Sequence, residues 1–159
     1  MQWSKLKTRF RELICDELRD RLDFHLTSYR QSHDGVGEMW ITFDGEKIYT
    51  CGHYNFEFAE REGYRSGLVG EELRAWLTEK EIHSPRSFCT AMKEYLGMNS
   101  KDALYSEDPF VRAFAIIDQR TGKRTLAKFN IGENEHSLVK TFYRLRMEAS
   151  GESIATRVS

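Results

Sequence analysis

The stretch Phe110-Val111-Arg112-Ala113-Phe114-Ala115-Ile116-Ile117 decides how the chain is read. It is apolar throughout except for Arg112. A short run of that kind suits a central strand covered on both faces. Gln119-Arg120-Thr121-Gly122-Lys123 then reads as a turn, and Arg124 to Ile131 as a returning strand. Asn134 reads as the cap of a closing helix with Leu138, Phe142, Leu145 and Ala149 inward.

Upstream, residues 3 to 20 read as one amphipathic helix, with Trp3, Leu6, Phe10, Leu13, Ile14 and Leu18 at helical spacing. The period then changes to two. Leu22, Phe24 and Leu26 alternate with Asp23, His25 and Thr27, which predicts a half-buried strand. His33 to Gly37 reads as a loop, Met39 to Phe43 as a second strand, and Ile48 to Tyr54 as a third. Asp44-Gly45 between them is a hairpin signal, because both residues tolerate positive φ. Residues 57 to 67 are charged and interrupted by glycine, and read as a connection with room for a short helical turn. Leu73, Trp76 and Leu77 mark a helix, and Ser84-Pro85 opens another that ends at Gly97.

The resulting order is α-βββ-αα-ββ-α. Grouped strands and helices indicate a single α+β domain over residues 1 to 149, with a mainly antiparallel sheet of about five strands and helices packed on it. Residues 150 to 159 read as a frayed tail.

Composition narrows the class. The chain has 159 residues, 40% hydrophobic and 31% charged, enough for one real core. Its 24 basic and 25 acidic residues leave a net charge of -1, so an electrostatic nucleic-acid binder is not expected. Cys15, Cys51 and Cys89 are odd in number and widely spaced, which makes a poor disulfide framework. The charged start and the lack of a long apolar run predict no signal peptide and no membrane span. A reducing cytoplasm is the expected setting.

A two-residue turn at Asp44-Gly45 pairs Ile41 with Ile48 and Trp40 with Tyr49. One sheet face then carries His25, Tyr29, Trp40, Tyr49, Cys51 and His53, and these are the candidate binding residues. Aromatic rings with polar tips suit a protein interface. The same residues read as a plain solvated or helix-covered sheet surface, or, with Cys51 or His53 as nucleophile or base, as the pocket of a small hydrolase or small-molecule-binding protein. Three or four ligands of metal-site spacing are not recognisable, and neither a metal nor a cofactor is expected. Arg120, Lys123 and Arg124 form a basic tip that could contact an anion, and a weak nucleic-acid binder acting through residues 120 to 128 is the third functional reading. The segment lacks the upstream glycine and the strand-to-helix context of a phosphate-binding loop.

Met1 to Leu6, Trp40-Ile41-Thr42-Phe43-Asp44-Gly45, and the block Arg112 to Ala115 with Asp118 to Arg124 resemble a bacterial family of small uncharacterised proteins. The resemblance runs through most of residues 1 to 147. It implies a bacterial cytoplasmic protein and brings no activity, cofactor or catalytic residue with it. The leading expectation is a non-enzymatic interaction protein of antitoxin, immunity or adaptor type. Its partner is another protein or a second copy of the chain, with no membrane involved.

Overall fold

A computed structural model describes residues 2–27 and 37–151. Tyr29, the loop reading at His33 to Val36 and residues 152–159 of the tail lie outside the described residues. Among the described residues the elements are α1 (Trp3–Arg11), α2 (Asp16–Arg19), β1 (Leu22–Thr27), β2 (Glu38–Phe43), β3 (Glu46–Gly52), α3 (His53–Arg65), α4 (Gly70–Glu79), α5 (Pro85–Tyr95), α6 (Ser100–Ala103), α7 (Pro109–Ile117), α8 (Lys123–Lys128) and α9 (Ser137–Ala149). The chain divides into two compact units, Met1–Asp23 with Thr90–Ser159, and Phe24–Cys89.

The class is α+β, but the five-stranded sheet and the order α-βββ-αα-ββ-α are overturned. The described residues form one three-stranded antiparallel sheet, in the order β1-β2-β3. Both expected C-terminal strands are helices. The Phe110 to Ile117 run is α7, and eight of its nine residues are buried. A helix enclosed on all sides is apolar all round, which gives the same continuous run as a central strand. Local chemistry decides for the helix: Asp108 is the N-cap, its carboxylate accepting from Phe110 N at 2.9 Å, and Pro109 occupies the first helical position. Arg124 to Ile131 holds α8 instead of a strand.

Three further readings are corrected. The helix expected over residues 3 to 20 stops at Arg11. Leu13 O then accepts from Gln119 N, and Cys15 N donates to Ile117 O, making a short antiparallel bridge at Ile14 and Asp118. The charged stretch at 57 to 67 is mostly α3, so His53 and Tyr54 begin a helix and do not end β3. The closing helix is capped by His136, whose Nδ1 accepts from Leu138 N at 3.1 Å, and not by Asn134.

The first unit is built around α7. The rings of Phe10, Tyr95 and Phe114 meet edge to face, with centroids 4.8 to 6.0 Å apart. Beside them lies a buried polar cluster. Tyr95 donates to Asp118 Oδ2 at 2.5 Å, and Arg120 grips the same carboxylate through Nε and Nη2. Arg146, 8% exposed, donates from Nη1 to Ile116 O and Asp118 O and from Nη2 to Thr121 O. These main-chain oxygens lie at and just beyond the end of α7, where the helix carries partial negative charge. Arg112, the one α7 side chain not buried, pairs with Glu135 at 2.6 Å.

In the second unit the hairpin turn is the two-residue one. Asp44 and Gly45 have φ of 51° and 84°, and Phe43 faces Glu46. Helices α3 and α4 share a small apolar core of Ala59, Leu73 and Leu77, with Phe56, Leu68, Trp76 and Ile82 against it. Gly63 makes that packing possible: a Cβ there would run into Leu73 Cδ1 and lie 3.3 Å from the Trp76 ring. Ser84 opens α5 as expected, its Oγ accepting from Ser87 N at 3.1 Å.

Candidate functional site

The hairpin register decides which side chains share a sheet face. Although the turn holds two residues, the pairing slips between Ile41 and Thr42, leaving Ile48 as an extra residue on β3. Beyond that bulge Ile41 faces Tyr49, Trp40 faces Thr50 and Met39 faces Cys51. The expected pairs Ile41 with Ile48 and Trp40 with Tyr49 are therefore corrected. Tyr49 and Cys51 lie on the Met39–Ile41 face, away from His25 and Trp40. One inserted residue moves every later side chain of the strand to the opposite face.

His25 and Trp40 do come together. Their rings stack with centroids 5.0 Å apart and planes 9° from parallel. His25 Nε2 and Thr42 Oγ1 are 2.9 Å apart, and Lys47 Nζ sits 5.2 Å from the Trp40 ring centroid. Thr50 Oγ1 donates to Glu38 Oε1 at 2.9 Å. These groups are mostly half-buried and engage one another across three strands.

Burial works against Cys51 as a nucleophile. Cys51 is 7% exposed, and burial, then Cys89 and Glu38, push its thiol up to about 12. A thiol held that high stays protonated near neutrality, whereas nucleophilic attack needs the thiolate. Burial also raises the Tyr49 phenol, with Cys51 and Glu81 adding to it. His53 stands at the start of α3, with Nε2 3.1 Å from Glu57 Oε1, and its main-chain N–H donates to Gly37 O. Among the described residues no group of three or more His, Cys, Asp or Glu could hold a metal ion.

The basic tip is split. Arg120 is committed to Asp118 and also lies 5.9 Å from the Tyr95 ring, while Lys123 and Arg124 open the six-residue α8 and are exposed. The tip is thus a helix start and not a hairpin.

The feature that sequence reasoning missed is α3. Its buried positions, Ala59 and Gly63, define one side. On the other side Tyr54 is 57% and Phe58 65% exposed, one helical turn apart. Arg61 and Arg65, both exposed, continue the same line toward the C-terminal end. The positions 54, 58, 61 and 65 fall at i, i+4, i+7 and i+11, which is one stripe on a helix. The signal is present in the sequence, at the spacing of two aromatics and two arginines, but it straddles the expected third strand and the charged connection that follows it.

The same unit holds a groove of about 440 Å³ floored by Phe56, Leu73, Leu77 and Ile82, with Glu60 and Arg74 among its polar lining. Among the described residues no helix is long and apolar enough to cross a membrane.

Comparison with curated proteins and with solved structures finds no match. The model of the SF0329 protein family matches residues 2–147, nearly the whole length, and the chain belongs to that family.

Proposed function

We propose that the chain is a non-enzymatic protein-interaction module of adaptor type whose contact surface is the outward stripe of α3. The observation that carries this reading is the exposure of Tyr54 and Phe58, 57% and 65%, on one turn of one helix. Neighbouring exposed aromatic rings mark interaction surfaces, and aromatic and arginine side chains are the usual anchors of interfaces. The sheet face supports a contact role less well, because His25, Trp40 and Thr42 already engage one another. A bacterial cytoplasmic setting belongs to the same proposal and rests on the family resemblance.

The test is site-specific photo-crosslinking. A photoreactive phenylalanine analogue at Phe58 gives a discrete adduct in the source cell, and the same analogue at Tyr105, which is 71% exposed on α6's C-terminal side, does not. Equal adducts from both positions, or none from Phe58, would overturn the reading.

The groove favours a second reading, small-molecule binding. About 440 Å³ lies within the usual size of ligand pockets, and polar groups of Glu60, Tyr64, Arg74, Thr78, His83 and Ser87 surround the apolar floor. Under this reading Leu77→Trp, which fills the floor, removes binding of any hit from a fragment screen. Hits that survive that substitution would count against it.

A further inference from the structure

The spacing of side chains along the α3 stripe is symmetric. Tyr54 and Phe58 occupy the N-terminal half, and Arg61 and Arg65 occupy the C-terminal half. The spacing from Tyr54 to Phe58 is four residues, and so is the spacing from Arg61 to Arg65. The spacing is therefore symmetric about the midpoint between Phe58 and Arg61, with each aromatic matched by an arginine at its mirror position.

We propose that the occupant of this surface is the α3 stripe of a second copy of the chain, packed antiparallel about a two-fold axis. This deepens the reading of α3 as a contact surface and rests on it. A two-fold interface brings residue i against j′ and j against i′. An axis at the midpoint sets Tyr54 against Arg65′ and Phe58 against Arg61′, and repeats both pairs on the other side. Each pair joins a guanidinium to an aromatic ring, a favourable combination through the ring's negative face and one in which arginine stacks well. A parallel arrangement would instead set arginine against arginine, so the pattern selects the antiparallel one. Phe58 and Arg61 flank the axis and bury most fully, while Tyr54 and Arg65 close the ends. The ring of Tyr54 meets His53 edge to face at 5.8 Å, which helps to fix its position. An interface of one helix face lies at the small end of the range, below about 1,200 Å² in total, so the dimer is reversible and concentration-dependent.

Sedimentation equilibrium on the full chain tests the proposal with wild type, Arg65→Glu, and Tyr54→Lys combined with Arg65→Glu. Wild type shows a monomer–dimer equilibrium. Arg65→Glu sets a carboxylate against the negative face of Tyr54′, and its two symmetric copies raise the dissociation constant by roughly tenfold or more. The double variant restores dimerisation, because the introduced ammonium of one copy then faces the introduced carboxylate of the other across the axis. Residues 54 and 65 of one helix are roughly 16 Å apart along its axis, so restoration cannot arise within one chain. Phe58→Ser, assayed beside them with circular dichroism as a check on folding, gives a second loss at an exposed position. A wild type that stays monomeric at several hundred micromolar overturns the second-copy assignment. A discrete photo-adduct with a different protein would then leave the contact-surface reading standing. A dimer unaffected by Arg65→Glu and Phe58→Ser, or a double variant that fails to recover, overturns the antiparallel stripe. Binding of a single-stranded oligonucleotide by monomeric wild type, lost in Arg65→Glu, would also overturn it, by assigning the stripe to nucleic acid.

Discussion

Replacing Arg146 by methionine removes the donor that closes α7. Both Nη atoms of Arg146 are in use, with bonds of 3.0, 2.9 and 3.0 Å to Ile116 O, Asp118 O and Thr121 O. Arg146 is 8% exposed, and Met fills much of its stem volume while supplying no donor. Each hydrogen bond to a charged group contributes about 1.5–3 kcal/mol. The three are not additive, because water and small shifts recover part of the loss. Leaving buried acceptors without their donor costs about 1–3 kcal/mol, and the loss of three charge-assisted bonds puts the expected destabilisation at about 3 kcal/mol. Set against the usual total of about 5–15 kcal/mol, it moves the unfolding midpoint by a large fraction. Arg146→Lys keeps the charge but places a single ammonium where a planar fork reached three oxygens, so it falls roughly midway. Urea unfolding followed by far-ultraviolet circular dichroism measures all three proteins. A loss below about 1 kcal/mol in Arg146→Met would refute the assignment of these bonds as the closure of α7.

Two other perturbations follow from the second unit. Gly63→Ala gains about 1 kcal/mol of helix propensity but forces a methyl group onto buried Leu73 and the Trp76 ring. Overpacking of about 1–3 kcal/mol opposes it, so the variant is expected to be less stable, with a red shift in tryptophan emission. A gain in melting temperature would contradict the close approach of α3 and α4. The Cys51 thiol, pushed up to about 12 from its ordinary 9.0, keeps its proton in the fold after the unfolded chain has lost it. Its contribution is fully present below pH 9 and declines from there toward pH 12, by about 1.4 kcal/mol per pH unit. Urea midpoints at pH 8, 9 and 10 should fall less steeply in Cys51→Ala than in wild type. Equal slopes would show that the thiol is not buried as described.

The sequence was legible where a pattern had one physical cause. Alternation over Leu22 to Thr27 and Met39 to Phe43 returned as β1 and β2, and Asp44-Gly45 returned as the turn. Ser84-Pro85 announced α5 because a cap and a pre-set φ act locally. It was not legible where two structures share a pattern. The Phe110 to Ile117 run fits any element enclosed on both sides, and only the neighbouring Asp108 and Pro109 spoke for a helix. The α3 segment hid because its buried positions are Ala59 and Gly63, small residues that carry little hydrophobic signal. The bulge at Ile48 could not be read at all, since nothing in Glu46 to Gly52 marks an extra residue. That one position separated Tyr49 and Cys51 from His25 and Trp40. It thereby dissolved the face on which the candidate site had been assembled.

Hydroxyl-radical footprinting tests the α3 surface most directly, because it reads ring exposure one residue at a time. Tyr105, 71% exposed and belonging to the other unit, serves as the internal reference for Tyr54 and Phe58. In dilute protein all three rings oxidise readily. At high concentration, or in extract from the source cell, the account expects Tyr54 and Phe58 to become protected while Tyr105 does not. Oxidation of Tyr54 and Phe58 in step with Tyr105 under every condition would contradict it.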